Sequence, residues 1–316
     1  MRIAVLDDYQ RVAPELADWS PLAGHEVAFF DTPFRDPEET ARALEPFEVV
    51  CCMRERTPFP ASLIERLPAL RLLVTTGMRN AALDVDAAVA RGITVCGTQG
   101  SGVSTAELTW GLIHAVIRHI PTEDANVKAG RWQTTVGADL AGRTLGILGL
   151  GRIGPTVARV GAAFDMRVIA WSPNLTAERA AAVGATLVGK RDLFEQSDVL
   201  SIHLVLADST RGLVGREELA AMKPGAILVN TSRGPIVDEA ALLAELERGT
   251  IGGAGLDVYG REPLPSDHPL RRAPRTVLTP HLGYVTEENL RLFYRETVED
   301  VAAWLAGAPI RVIAAP

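Results

Sequence analysis

Short runs of Val, Ile and Leu recur along the chain, separated by Ala-rich stretches with helical spacing. This alternation predicts parallel strands joined by helical crossovers, an α/β class. The early runs are Ile3–Leu6, His25–Phe30, Val49–Met53, Leu70–Thr75 and Thr94–Val95, with helices such as Ala61–Arg66 and Ala87–Arg91 between them. They describe one small open sheet. A long helical segment from about Thr105 to His119 follows. A polar, turn-rich stretch around Gly130-Arg131-Trp132 and Gly137-Ala138-Asp139 then reads as a bridge between domains. The strand period restarts at Leu145–Leu148, Arg167–Trp171, Thr186–Val188, Val199–Leu204, Ala226–Thr231, Gly255–Val258 and Val277–Leu278. A final helix, about Thr286 to Leu305, is too distant in sequence for pattern alone to assign it to either sheet.

A length of 316 residues supports two domains of roughly 100–200 residues each. Hydrophobic residues make up 47% and charged residues 22%, enough apolar material for two cores and too much for a disordered chain. The net charge of -7 provides no overall positive field, so neither nucleic acid nor a membrane surface is an expected partner. Cys51, Cys52 and Cys96 are odd in number and lack C-x-x-C spacing, so they read as reduced, mostly buried thiols rather than disulfide partners or zinc ligands. The opening Met1 to Asp8 places two carboxylates after a short apolar run, unlike a signal peptide, and no run approaches bilayer-spanning length. A cytoplasmic location is the expectation.

The run Thr144-Leu145-Gly146-Ile147-Leu148 leads into Gly149-Leu150-Gly151-Arg152-Ile153-Gly154 and then an Ala/Val-rich helical segment. In this strand-loop-helix setting Gly149 makes the tight turn, Gly151 admits a pyrophosphate and Gly154 permits close helix–strand packing. Pro155 suits a first helical turn, where no N–H donor is needed. An acidic residue at the end of the next strand would hold the adenosine ribose hydroxyls, but Ser172 stands there. NAD is the expected cofactor, with NADP left open because Ser172 does not repel a 2'-phosphate; Arg179 is the cation in reach, or simply solvated.

Three later strands end in Asn230-Thr231-Ser232-Arg233-Gly234, in Asp257 to Pro263, and in Thr279-Pro280-His281-Leu282-Gly283. Open α/β sheets bind ligands at that edge. With the glycine loop, these motifs occur in the order and approximate spacing of the D-isomer-specific 2-hydroxyacid dehydrogenases, which the chain resembles over essentially its whole length. The resemblance implies two doubly wound parallel-sheet domains, with a Rossmann-type cofactor domain (99–284) inserted in a flavodoxin-like substrate domain (1–98 and 285–316). It implies NAD(P)-dependent interconversion of a small 2-keto acid and a D-2-hydroxy acid, closure of a cleft around the hydride, and a homodimer built through the cofactor domain. Arg233 would bind the substrate carboxylate, a task suited to a planar cationic fork. His281 would exchange a proton with the carbonyl oxygen, and Glu262 would hold the imidazole.

The same resemblance assigns Arg152 and Ile153 to the pyrophosphate, Thr231, Asp257 and Thr109 to the nicotinamide, and Ser232 and Gly283 to the cofactor motifs. Asp257 also has a structural alternative, a buried carboxylate. In the first domain Gly77 and Met78 would offer backbone N–H groups to the substrate carboxylate, although this loop is longer than the family's usual form. Arg54 would face the substrate's distal group or be an ordinary surface arginine. His25, His114, His119, His203 and His268 have no partners at ligand spacing, so no metal is expected. Residues after 316 that would form a regulatory domain are not expected. A catalytically silent NAD(H)-sensing protein of the same fold is the rival reading; retention of Arg233, Glu262 and His281 weighs against it.

Overall fold

A computed structural model describes residues 1–316. The chain forms two units, Met1–Ser101 with Thr286–Pro316, and Gly102–Val285. The divisions follow Ser101 and Val285, where the sequence reading put them after 98 and 284. The stretch 130–139 lies inside the second unit and is not a bridge. It is an irregular, largely exposed surface segment, and its turn-rich composition reflects that exposure.

In the first unit β1 (Arg2–Val5), β2 (Glu26–Phe29), β3 (Val49–Cys52), β4 (Leu72–Thr75) and β5 (Thr94–Gly97) are parallel, in the order β2-β1-β3-β4-β5. Every residue of β3, β4 and β5 is buried, which is why these runs are apolar throughout rather than alternating. One face packs Ala4, Val50, Cys52, Leu73 and Val95 in a core with residues of the helices Pro37–Leu44, Ala61–Ile64 and Val85–Ala90. The helix Glu287–Leu305 also packs on this sheet, against β4 and β5. A strand absent from the sequence expectation, Val312–Ala314, pairs antiparallel with β5 at the sheet's edge.

The second unit carries β6 (Thr144–Leu148), β7 (Arg167–Trp171), β8 (Thr186–Leu187), β9 (Val199–Ile202), β10 (Ile227–Asn230), β11 (Gly253–Leu256) and β12 (Thr276–Leu278). They are all parallel, in the order β12-β11-β10-β9-β6-β7-β8. Two apolar layers sandwich this sheet. One holds Trp110, Leu112, Ile113, Val157 and Ala158 from the helices Val103–Ile117 and Gly154–Ala163; the other holds Phe194, Leu219, Leu242 and Leu246. A further helix, Ile120–Lys128, follows His119, whose φ of 52° breaks the preceding helix. The two strand orders are those of the flavodoxin-like and Rossmann arrangements, and they reverse between β1 and β3 and between β6 and β9.

Candidate active site

The glycine loop leaves β6 at the reversal point. Gly149 has φ +102°, and a Cβ there would lie 2.7 Å from the His203 carbonyl carbon, so no side chain fits. At Gly154 the obstacle is the Gly149 carbonyl oxygen, 2.6 Å from the Cβ position, which fixes how closely the helix Gly154–Ala163 approaches the turn. Apart from Gly151 itself and its two chain neighbours, no protein atom lies within 4 Å of its Cβ position, so its bare backbone leaves open room at the loop's crest. Arg152 is exposed beside it, Ile153 is the N-cap residue, and Pro155 occupies the first helical turn. Ser172, half-buried, follows β7 directly. Arg179 Nη1 donates to the Asn174 carbonyl at 3.1 Å.

After β10 the chain turns on Asn230, whose amide donates to the Arg233 carbonyl (3.0 Å) and accepts the Ser232 N–H (3.0 Å). The Ser232 hydroxyl bonds to the Leu204 carbonyl, and Thr231 Oγ1 lies 2.8 Å from Thr109 Oγ1 on the Val103–Ile117 helix. These bonds hold the half-buried Arg233 in extended backbone, with Nη1 donating to the Ser232 carbonyl at 2.7 Å. Gly234 is pressed against the next motif: a Cβ there would lie 2.0 Å from the Tyr259 carbonyl carbon. Thus the arginine loop and the loop carrying Glu262 meet backbone to backbone.

The loops after β11 and β12 interlock. Asp257 is fully buried; Oδ1 accepts the Thr279 hydroxyl (2.6 Å) and the Leu282 N–H (2.7 Å), and Oδ2 accepts the Gly283 N–H (2.8 Å). Burial raises its pKa, and the Thr279 hydroxyl, the Leu282 amide, the His281 charge and the Gly283 amide pull it back down. Every hydrogen bond of this carboxylate goes to the 279–283 loop, the anchoring arrangement that the structural alternative describes. Thr105 on the neighbouring helix adds a hydroxyl bond to the Gly283 carbonyl at 2.8 Å. His281 sits on this loop with φ +55°, a left-handed backbone that costs a non-glycine residue about 1–3 kcal/mol. Its Nδ1 lies 2.5 Å from Glu262 Oε2, while Glu262 Oε1 accepts the Tyr259 N–H at 3.0 Å. The Tyr284 ring stands edge-on to the imidazole, with centroids 5.6 Å apart.

In the first unit the loops after β3 and β4 hold Arg54, Gly77 and Met78. Arg54 has φ +54° and is half-buried; its Nη1 donates to the Thr76 carbonyl at 3.2 Å, and its Nε lies 3.7 Å from Glu55. The Gly77 N–H, which the sequence reading offered to the substrate carboxylate, donates here to Thr98 Oγ1 at 3.0 Å. Met78 is exposed at the turn. Asn80 ties this longer loop down, bonding through its amide to the Arg54 carbonyl (2.7 Å), Thr75 Oγ1 (3.0 Å) and the Ala82 N–H (2.9 Å). No group of three or more His, Cys, Asp or Glu side chains is arranged to hold a metal ion. Sequence reasoning passed over Tyr259 and Thr279, whose roles come from partners distant along the chain.

Comparisons with known proteins agree with this architecture. The family model described as D-isomer specific 2-hydroxyacid dehydrogenase, NAD binding domain, matches residues 110–283. The chain is 41% identical over 255 residues to a glyoxylate reductase of Aeropyrum pernix, covering 78% of this chain and 76% of that protein. It is 38% identical over 261 residues to a D-3-phosphoglycerate dehydrogenase of Bacillus subtilis, covering 82% of this chain and 50% of the relative. The chain thus spans about half the length of the curated phosphoglycerate dehydrogenases it matches. Among solved structures, a phosphoglycerate oxidoreductase from Vibrio cholerae superposes with a TM-score of 0.93 at 38% identity, covering 98% of this chain and all of that one. A D-lactate dehydrogenase from Escherichia coli superposes with a TM-score of 0.86 at 25% identity, covering 99% of this chain and 100% of that one. On these grounds the chain belongs to the D-isomer-specific 2-hydroxyacid dehydrogenase family.

Proposed function

We propose that this chain catalyses reversible hydride transfer between a nicotinamide dinucleotide and a small 2-keto acid, with the D-2-hydroxy acid as the reduced product. The observation that carries the reading is the 2.5 Å pairing of His281 with Glu262, in the same unit as the glycine loop and Arg233. A dinucleotide fits the residues present: the open backbone at Gly151 and the N-terminus of the Gly154–Ala163 helix suit a pyrophosphate. Gly149, Gly154, Arg152, Ile153, Ser172, Thr231, Ser232, Thr109 and Gly283 would complete its site. When bound, it supplies or accepts the hydride.

Arg233 would bind the substrate carboxylate and polarise the keto oxygen. Because Glu262 engages Nδ1 of His281, proton exchange with that oxygen falls to Nε2. Glu262 fixes the ring's orientation. In the first unit Arg54 is assigned to the substrate's distal group, and with the Gly77 amide already bonded, the backbone donor of that loop is assigned to Met78.

NAD is the proposed dinucleotide and NADP an accepted one, since Ser172 brings no charge to repel a 2'-phosphate and Arg179 reaches the Asn174 carbonyl just beyond it. A homodimer built through the second unit is supported by exposed apolar side chains at Ile120, Val127, Trp132 and Val136. The three cysteines, free and buried, are in keeping with a cytoplasmic location. No helix is long and apolar enough to cross a membrane. Steady-state assays with glyoxylate, hydroxypyruvate and other 2-keto acids, run with NADH and with NADPH, test the reading. Oxidation of either cofactor is expected; silence across a broad panel would favour a nucleotide-sensing protein.

A further inference from the structure

We infer that Tyr259 is a positioning residue for the acid–base pair, joining the three loops that carry Arg233, Glu262 and His281. This rests on the reading above for the roles of those three residues. Tyr259 follows β11 and is buried, with its ring in one of the two apolar layers of the second unit. It reaches each loop through a different part of the residue. Its backbone N–H donates to Glu262 Oε1 at 3.0 Å. Its carbonyl group abuts Gly234, where a Cβ would lie 2.0 Å from the carbon and 2.1 Å from the oxygen. Its hydroxyl donates to the Thr279 carbonyl at 2.9 Å, with the Leu256 carbonyl a second acceptor at 3.2 Å.

The Thr279 carbonyl is the informative partner, because it also accepts the N–H of His281. That oxygen therefore takes one bond from the residue that holds Glu262 and another from His281 itself. The pairing of Glu262 Oε2 with His281 Nδ1 closes a ring of contacts: Tyr259 to Glu262, Glu262 to His281, His281 to Thr279, and Thr279 back to Tyr259. Such a ring opposes relaxation of the left-handed backbone at His281. Burial also raises the pKa of the phenol, so its proton stays in place to be donated throughout the working range. Tyr259 touches no reactant in this scheme; it acts through the pair.

The test is Tyr259→Phe, which keeps the ring and the backbone contacts and removes the hydroxyl alone. Turnover should fall roughly three- to tenfold, the scale of one neutral hydrogen bond, with KM for both substrates changed less than about twofold. In a Glu262→Gln background the same substitution should lower turnover by less than about twofold, because the pair it positions is already broken. In protein carrying 15N-labelled histidine, without substrate, the His281 ring signals should shift or broaden in the variant. Unmoved His281 signals would overturn the inference whatever the rate, and so would a full loss of turnover persisting in the Glu262→Gln background. Absence of keto-acid turnover in the unaltered protein would sink the proposed function and with it the catalytic meaning of the pair, whereas the resonance comparison, which needs no turnover, still decides whether the Tyr259 hydroxyl positions His281.

Discussion

Replacing Asp257 with asparagine separates two roles for this side chain: a contact to the nicotinamide, or an anchor for the histidine loop. The carboxylate accepts three hydrogen bonds, from Thr279, Leu282 and Gly283, and has no exposed surface. Asparagine offers one acceptor oxygen and one NH2 group. With its oxygen toward Thr279 and Leu282, the NH2 group meets the Gly283 N–H; turned over, it meets the other two donors. Each bond to an ionised acceptor contributes about 1.5–3 kcal/mol, and a buried donor left without a partner costs about 1–3 kcal/mol. Relief of the desolvation that raises the Asp257 pKa offsets part of this, leaving a loss of about 2 kcal/mol. For a domain of this size that lowers Tm by roughly 4–8 °C. The His281 backbone would relax with the loop, and turnover should drop at least about tenfold while NADH affinity changes little. Thermal unfolding, fluorescence titration with NADH and steady-state kinetics read the three quantities. Weakened NADH binding with unchanged Tm and turnover would refute the anchoring argument and restore the cofactor contact.

His281→Ala should leave NADH binding within about twofold and lower turnover at least about a hundredfold, as removal of a general acid does; an unchanged rate would take His281 out of the mechanism. Asp300, fully enclosed and bonded to Arg311 Nε at 2.9 Å, has its pKa pushed up to about 7, chiefly by burial. A folded-state pKa above the unfolded 3.8 means the native state holds this proton more tightly. The contribution to stability is therefore full below about pH 4 and is lost as pH rises through about 7. Melting curves of Asp300→Asn between pH 4 and 8 should be flatter than those of the parent protein, and parallel curves would contradict the sign. Val136→Lys, at a side chain 92% exposed, should weaken self-association in sedimentation equilibrium without loss of Tm; an unaltered dimer would remove this segment from the interface.

Continuous apolar runs such as Val49-Val50-Cys51-Cys52 made the central strands legible, because parallel strands covered on both faces need no polar alternation. The glycine loop was legible because its spacing encodes close backbone approach, and the obstacles that a Cβ would meet at Gly149 and Gly154 are that same constraint seen in space. Four features were not. The Ile120–Lys128 helix has a polar sequence, Ile-Pro-Thr-Glu-Asp-Ala-Asn-Val-Lys, which merged with the turn-rich stretch after it. Val312–Ala314 is too short to carry a period, and its pairing with Cys96 and Val95 joins distant parts of the chain. The Gly77 amide was expected to be available because its bond to Thr98 depends on how two adjacent strand ends meet. Tyr259 was invisible for the same reason: no motif records a hydroxyl that reaches across to the end of a neighbouring strand.

The antiparallel Val312–Ala314 strand has a practical consequence. It covers the outer row of amides and carbonyls on β5, a strand buried along its whole length, and the Arg311 carbonyl extends that cover by accepting the Gly97 N–H at 3.0 Å. Trimming residues 311–316 would lay bare an apolar template ready to recruit strands from other molecules, so precipitation rather than simple loosening is the expected failure of such a truncation.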